Sequence, residues 1–121
     1  MISQLNPADF AAWRDRAMAG APPAALPVVL DVREPWELQT ASVKPDGFTL
    51  LSIPMRDIPA RLADLQAKHG TGQAIACLCH HGMRSLQVAN FLAQSGFTEV
   101  VNLQGGIDAW SQQVDPSVAR Y

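Results

Sequence analysis

The chain has 121 residues, the size of one domain, and 48% of them are hydrophobic, which excludes extensive disorder. Nine Lys and Arg residues oppose eleven Asp and Glu residues, and the sequence contains no basic run, membrane-length apolar run or signal-peptide pattern, so we expect neither nucleic acid nor a membrane as partner. The two cysteines are too close for a disulfide scaffold, so we expect free thiols in a reducing cytoplasm.

Strands and helices are predicted to alternate along the chain. The predicted strands cover residues 2–5, 28–32, 49–53, 74–78 and 100–103, and the apolar runs at 28–32 and 74–78 are typical of strands buried on both faces. The predicted helices cover residues 7–19, a short turn at 34–38, 58–68, 85–95, and a last helix that follows Gly105 and Gly106 and contains Val114. Gly20 is expected to end the first helix, and residues 21–27, 40–47 and 115–121 are expected to form a connector, a loop and a C-terminal tail.

This alternation predicts an α/β fold, with a parallel sheet of four to five strands covered by helices on both faces, in a single domain spanning residues 1–121. Functional sites of such sheets lie beyond the carboxyl ends of the strands. Cys79 occupies that position, directly after the predicted strand 74–78.

The segment from Cys79 to Ser85 (CHHGMRS, here the cysteine loop) connects that strand to a helix. A thiol becomes a good nucleophile when it loses its proton, and a helix N-terminus and nearby cations favour the thiolate. The turn can direct several backbone N–H groups at one anionic atom, and Gly82 permits the positive φ that a tight turn needs. Arg84 adds a permanent charge expected to face a bound anion, and Ser85 either caps the helix or donates to that anion. The loop therefore predicts a cradle for a thiolate, or for a thiolate that carries one extra sulfur.

The sequence is less specific about the roles of the other residues in the cysteine loop and of Cys77, which precedes it. His80 and His81 either steer anionic donors and tune the thiolate or are exposed loop residues, and the sequence leaves both readings open. Met83 is expected to line the mouth of the site as an apolar surface. Cys77 lies inside the strand, where a small core residue is favoured over a resolving thiol.

Two further groups have structural interpretations. Asp31 and Arg33 follow a buried strand and are candidates for a structural ion pair. Trp13, Trp36 and Trp110 lie at helical positions and are interpreted as core or packing residues.

The cysteine loop resembles the active-site loop of rhodanese-like sulfurtransferases. The segment 31–34 (DVRE) is similar to the Asp-Val-Arg-Glu of that family, and the segment 103–110 (LQGGIDAW) is similar to its closing Gly-Gly-x-x-Ala-Trp. The three matches follow the family's order over residues 30–110. The family's Gly-His-Ile-x-Gly-Ala is replaced here by residues 41–47 (ASVKPDG), which leaves the conformation of residues 40–48 open.

The resemblance implies a sulfurtransferase in which Cys79 takes the outer sulfur of thiosulfate or a persulfide, holds it as a persulfide and passes it to a thiophilic acceptor. The acceptor would be cyanide, a thiol or a sulfur-accepting protein, and no cofactor or metal is implied. His80, His81, Gly82, Met83, Arg84 and Ser85 would form the loop that binds the substrate and the persulfide.

Three alternatives remain open. The first is a non-catalytic or relay module that carries sulfur within a larger pathway. The second is a phosphatase or arsenate reductase-like cysteine enzyme, but such loops have one more residue, and only four residues separate Cys79 from Arg84. The third is a metal site built from Cys77, Cys79, His80 and His81, which lie too close along one strand end to surround an ion easily.

Overall fold

A computed structural model describes residues 2–19 and 26–121. The strands are β1 (Ser3–Leu5), β2 (Val28–Asp31), β3 (Thr49–Ser52), β4 (Ile75–Leu78) and β5 (Val100–Leu103). The helices are α1 (Phe10–Ala19), α2 (Pro35–Thr40), α3 (Ile58–His69), α4 (Met83–Gln94) and α5 (Gly106–Gln113), and short 3-10 turns precede α1 and α3. All five predicted strands are confirmed. The predicted end of α1 at Gly20 and most of the connector that follows it lie outside the described residues.

The strands form one parallel sheet in the order β1-β5-β4-β2-β3. Leu30 is in register with Cys77, and Cys77 with Asn102, so β2, β4 and β5 end at the same edge. This carboxyl edge, as we call it below, is where the sequence pattern places the site.

The two faces of the sheet carry separate hydrophobic cores, as expected for a sheet covered on both sides. One core joins alternate residues of β2 and β4, including Leu30 and Cys77, to α3 and α4. The other core joins the intervening strand residues, including Val29 and Leu78, to α1 and α5. Within residues 2–19 and 26–121, no helix is both long and apolar enough to cross a bilayer.

Helix α4 begins at Met83, two residues earlier than the sequence pattern predicts. Gly82 has a φ of 103° and is the N-cap residue, although it supplies no side chain to accept a hydrogen bond. The chain therefore turns into the helix at Gly82 rather than at Ser85. Ser85 lies within the first turn, so its predicted role as a helix cap is wrong.

The segment left open by the sequence, residues 40–48, packs onto the domain rather than projecting from it. Ala41, Val43 and Phe48 are buried in the core that contains α1 and α5. The C-terminal segment, residues 115–121, has neither helix nor strand, as a tail would, yet it also packs against the domain. Val118 is 4% exposed, and its carbonyl accepts a hydrogen bond of 2.6 Å from Ser111 Oγ.

The three tryptophans differ in their surroundings. Trp110 is buried, and Trp13 packs at the edge of the same core. Trp36 on α2 is 62% exposed and makes an edge contact with the ring of Tyr121, with the centroids 6.1 Å apart. It therefore packs at the surface and does not contribute to the core.

Candidate active site

Cys79 lies one residue beyond β4, at the carboxyl edge, and is only 1% exposed. Its Sγ accepts a hydrogen bond of 3.1 Å from the backbone N–H of Gly82, and Ser85 Oγ lies 3.3 Å away. A Cβ at Gly82 would lie 3.1 Å from the backbone nitrogen of Gly105, so only glycine fits this turn without strain. Among the described residues, the loop thus directs one backbone donor, the N–H of Gly82, at the sulfur, whereas the sequence predicts several.

The first turn of α5 supports the cysteine loop from the side. The backbone N–H of Ile107 donates to the carbonyl of Cys79 at 2.8 Å, and that of Asp108 donates to the carbonyl of His80 at 3.2 Å. Unpaired N–H groups at a helix start need acceptors, and here the loop provides them. Gly106 has a φ of 63°, and a Cβ there would overlap both loop carbonyl oxygens. Gly106 of the 103–110 segment is therefore required by this close approach.

Ser85 and Asn102 form a buried polar pair behind Cys79. Ser85 is 0% and Asn102 1% exposed, and Ser85 Oγ lies 2.6 Å from Asn102 Oδ1. Asn102 Nδ2 donates to the carbonyl of Gly82 at 3.1 Å and to Gln4 Oε1 at 2.9 Å. Sequence analysis missed Asn102 because it lies within a strand that otherwise looks apolar, and a single polar residue at a buried strand position is the signal that could have identified it.

Arg84 is paired with Glu37 of α2, whereas the sequence suggested that it faces a bound anion. Its Nη1 and Nη2 donate to Glu37 Oε1 and Oε2 at 2.7 and 2.8 Å, in a bidentate ion pair. Hydrogen bonds from Arg84 lower the pKa of Glu37 from 4.5 to about 2, although burial opposes this shift. The same hydrogen bonds raise the pKa of Arg84. The pair fastens α2 to the start of α4.

The predicted ion pair between Asp31 and Arg33 is confirmed, and both side chains are fully buried. Arg33 Nη2 lies 2.7 Å from Asp31 Oδ2, and further Arg33 donors reach the carbonyls of Glu37 at 3.2 Å and Ala41 at 2.8 Å. Burial lowers the pKa of Arg33, but hydrogen bonds to Asp31 and Tyr121 outweigh it, and the pKa is raised. The guanidinium thereby fixes both α2 and the segment that follows it.

Tyr121 covers the histidines of the cysteine loop. Its ring stacks on His80 with centroids 3.8 Å apart, and His80 stacks on His81 at 3.9 Å. His80 Nε2 lies 2.7 Å from the main-chain oxygen of Tyr121, which can only accept, so this nitrogen is the donor. The His80 ring is therefore held in place, whereas the sequence left its role open.

The hydroxyl of Tyr121 completes the network. It donates to Glu37 Oε2 at 2.7 Å and accepts from Arg33 Nη1 at 3.0 Å. Burial, the largest effect, raises the pKa of Tyr121 to about 12; the bond to Glu37 acts in the same direction and the bond from Arg33 opposes it. Tyr121 was missed because it lies in a segment that has no periodic pattern.

The structure also gives positions for Cys77, for Met83 and for the four residues considered as metal ligands. Cys77 is fully buried, and burial together with the neighbouring Cys79 raises the pKa of its thiol, so it is a core residue, as predicted. Met83 is 70% exposed at the first position of α4. Among the described residues, no three His, Cys, Asp or Glu side chains are arranged to hold a metal ion, so Cys77, Cys79, His80 and His81 do not form such a site.

The chain is similar to several known proteins. It is 41% identical to the Arabidopsis thaliana "Rhodanese-like/PpiC domain-containing protein 12, chloroplastic" over 77% of this chain, but that match spans only 30% of the relative. A protein named "Sulfurtransferase" from Allochromatium vinosum is 34% identical over 76% of this chain and 78% of that protein. The crystal structure of a rhodanese-related protein from Thermoplasma volcanium has 28% identity and a TM-score of 0.72, covering 98% of this chain and 99% of that one.

These similarities agree with the geometry at the carboxyl edge. The family described as "Rhodanese-like domain" matches residues 11–113, which contain β2 to β5, the cysteine loop and the supporting glycines. A match over so much of the chain, together with the parallel α/β sheet, shows that the chain belongs to the rhodanese-like domain family.

Proposed function

We propose that this domain is a sulfurtransferase that moves a sulfane sulfur from thiosulfate or a persulfide donor to a thiophilic acceptor through a persulfide on Cys79. The observation that carries the proposal is the environment of the Cys79 sulfur. The sulfur lies at the carboxyl edge and accepts a hydrogen bond of 3.1 Å from the N–H of Gly82, and α5 donates to the carbonyls of Cys79 and His80 in the same loop.

The reaction has two displacement steps. The Cys79 thiolate attacks the outer sulfur of thiosulfate, a new S–S bond forms, and sulfite leaves with the electron pair of the broken S–S bond. A thiolate or cyanide then attacks the outer sulfur of the persulfide, and the Cys79 thiolate is released. The N–H of Gly82 and the start of α4 stabilise the negative charge on Cys79 before the first step and after the second.

Burial of the sulfur favours sulfur transfer over phosphate hydrolysis. Cys79 exposes 1% of its surface, and four residues separate it from Arg84. A donor that presents one terminal sulfur atom reaches such a site more easily than a phosphate, whose oxygens must all be surrounded by donors. In addition, Arg84 is engaged by both carboxylate oxygens of Glu37 and is not available as a free phosphate ligand.

Sulfur relay to a partner protein is the second candidate. It is favoured by the Arabidopsis relative, in which the matching segment is 30% of a longer chain. A domain in that arrangement can exchange sulfur with a neighbouring or associated protein rather than with a free small molecule.

The intact mass of the protein after treatment with thiosulfate tests the proposal. We expect the wild-type protein and the control variant Cys77→Ala to gain the mass of one sulfur atom, which cyanide removes, and Cys79→Ser to gain nothing while remaining folded. Sulfur uptake by Cys79→Ser would refute the nucleophile. Uptake from a protein persulfide but from neither thiosulfate nor a low-molecular-weight persulfide would favour the relay. Hydrolysis of an aryl phosphate without sulfur uptake would overturn the proposal.

A further inference from the structure

We propose that Asn102 controls the direction of the Ser85 hydroxyl and is thereby a positioning residue that sets how readily Cys79 becomes a thiolate. This inference rests on the proposed function, in which Cys79 is the nucleophile. Its geometric basis is the buried line of contacts from Asn102 through Ser85 to the sulfur of Cys79.

The carboxamide of Asn102 can adopt only one orientation. The backbone carbonyl of Gly82 is an acceptor, so the group 3.1 Å from it must be the Nδ2 donor of Asn102. The amide oxygen of Asn102 then faces Ser85 at 2.6 Å. The close approach of the cysteine loop to β5 thus fixes which end of the amide meets the serine.

Ser85 has a single hydroxyl proton, and two groups compete for it. Asn102 Oδ1 can only accept, and its separation of 2.6 Å from Ser85 Oγ is short, whereas Cys79 Sγ is 3.3 Å away. The proton therefore goes to Asn102, and the lone pairs of the Ser85 oxygen face the sulfur. In this state the hydroxyl accepts from the neutral Cys79 thiol and does not stabilise the thiolate.

The two polar neighbours of the sulfur consequently oppose each other. The N–H of Gly82 favours the thiolate, while Ser85, held by Asn102, favours the protonated thiol. When the thiol loses its proton to solvent, the hydroxyl can turn towards the sulfur only by leaving Asn102 Oδ1 without a donor. Ser85 and Asn102 are 0% and 1% exposed, so solvent does not compensate that loss.

A titration of the ultraviolet thiolate absorbance, with the Cys79→Ser spectrum subtracted, tests this inference without any sulfur donor. The variant Asn102→Leu keeps the volume of the side chain but removes the acceptor of the Ser85 proton. We expect it to shift the titration midpoint down by about one pH unit, which corresponds to a tenfold larger thiolate fraction at pH values below the midpoint. The control Gln4→Leu removes another partner of Asn102 and should leave the midpoint unchanged.

The same substitution in a Ser85→Ala background separates this role from a general loosening of the loop. Without the hydroxyl, Asn102→Leu should cause no shift, because nothing remains to redirect. Three results would overturn the proposal. Asn102→Leu could shift the midpoint equally with and without the Ser85 hydroxyl. In the protein that keeps Ser85, it could cause no shift or a shift to higher pH. If sulfur uptake fails while the expected shift occurs, the proposed function fails and this inference stands.

A neutron structure of the wild-type protein, crystallised below the titration midpoint, provides a measurement that does not depend on the folding of any variant. Deuterium on Ser85 Oγ that points to Asn102 Oδ1 supports the proposal. Deuterium that points to Cys79 Sγ contradicts it.

Discussion

Glu37 joins three parts of the molecule through one carboxylate. It accepts two hydrogen bonds from Arg84 and one from Tyr121, and its Oε1 also accepts the backbone N–H of Glu34 at 3.1 Å. It is 3% exposed, so these bonds replace the water that an exposed carboxylate would bind. Glu37 therefore fastens the Arg84 end of the cysteine loop to α2.

The low pKa of Glu37 predicts a specific loss of stability in acid. Because its pKa is lowered to about 2 in the folded protein, its contribution to stability is complete above the ordinary value of 4.5 and is lost as the pH falls towards 2. We expect this contribution to the free energy of unfolding to be about 2–3 kcal/mol and to be absent in Glu37→Gln. Urea unfolding of both proteins at pH 7 and near pH 3 measures it.

The control for this experiment is Asp64→Asn. Asp64 is a largely exposed partner of Arg61 at 3.8 Å and should change the acid dependence little. The same acid dependence in wild type and Glu37→Gln would contradict the account.

The sequence identified the residues of the site whose role follows from local spacing, and it missed those whose role depends on distant partners. Cys79 and Gly82 could be predicted because a strand end, a turn and a helix start are close together in the chain. The carboxylate that engages Arg84 lies 47 positions away, and Glu37 resembles an ordinary helix-start residue in the sequence. Asn102 and Tyr121 were missed for the same reason.

Helix α5 is the element on which the shape of the cysteine loop depends most directly. Its first N–H groups bind the carbonyls of Cys79 and His80, and Gly106 allows the approach. The sequence predicted a helix at this position, although α5 ends at Gln113 and the predicted member Val114 lies just beyond it. The contact of α5 with the loop could not be inferred from helical periodicity. That contact requires β4 and β5 to be neighbours in the sheet, which only the strand order reveals.

We expect Gly106→Ala to destabilise the protein by about 2 kcal/mol or more, since alanine is strained at a φ of 63° and its Cβ would overlap the loop carbonyls. Sulfur uptake by Cys79 should fall in parallel, because the loop must move. Urea unfolding and the mass of the thiosulfate-treated protein measure the two effects.

Gly72→Ala is the matched control, because a Cβ at Gly72 has no neighbour within 4 Å among the described residues. Equal behaviour of the two alanine variants would show that α5 does not constrain the loop.

At the scale of the whole molecule, residues 115–121 connect the face that carries α5 to the carboxyl edge. Val118 is buried beside α5, Arg120 pairs with Asp108 at 2.9 Å, and Tyr121 reaches His80 and Glu37. The sequence predicted a tail because the segment has no hydrophobic period. Because only a few separate side chains of this segment pack against the domain, its sequence shows no periodic hydrophobic pattern.

Removal of residues 116–121 should leave the sheet intact but lower the free energy of unfolding by about 2–4 kcal/mol, because Val118 loses its burial and Glu37 loses a donor. Circular dichroism and urea unfolding check this outcome, and the His80 ring signals in NMR spectra should shift. The variant Tyr121→Phe keeps the stacked ring and should show only the part of the loss that belongs to the hydroxyl. Unchanged stability after the truncation would contradict the packing described above.

The strand order has a consequence for biosynthesis. In the described sheet β1 pairs with β5 and with no other strand. The ribosome therefore synthesises β1 about a hundred positions before the strand with which it pairs. The central strands β2, β3 and β4 can assemble first, while β1 keeps an unpaired edge and Cys79 lacks the support of α5. A nascent chain therefore carries a cysteine loop whose carbonyls at Cys79 and His80 lack the donors of α5 until that helix has been synthesised.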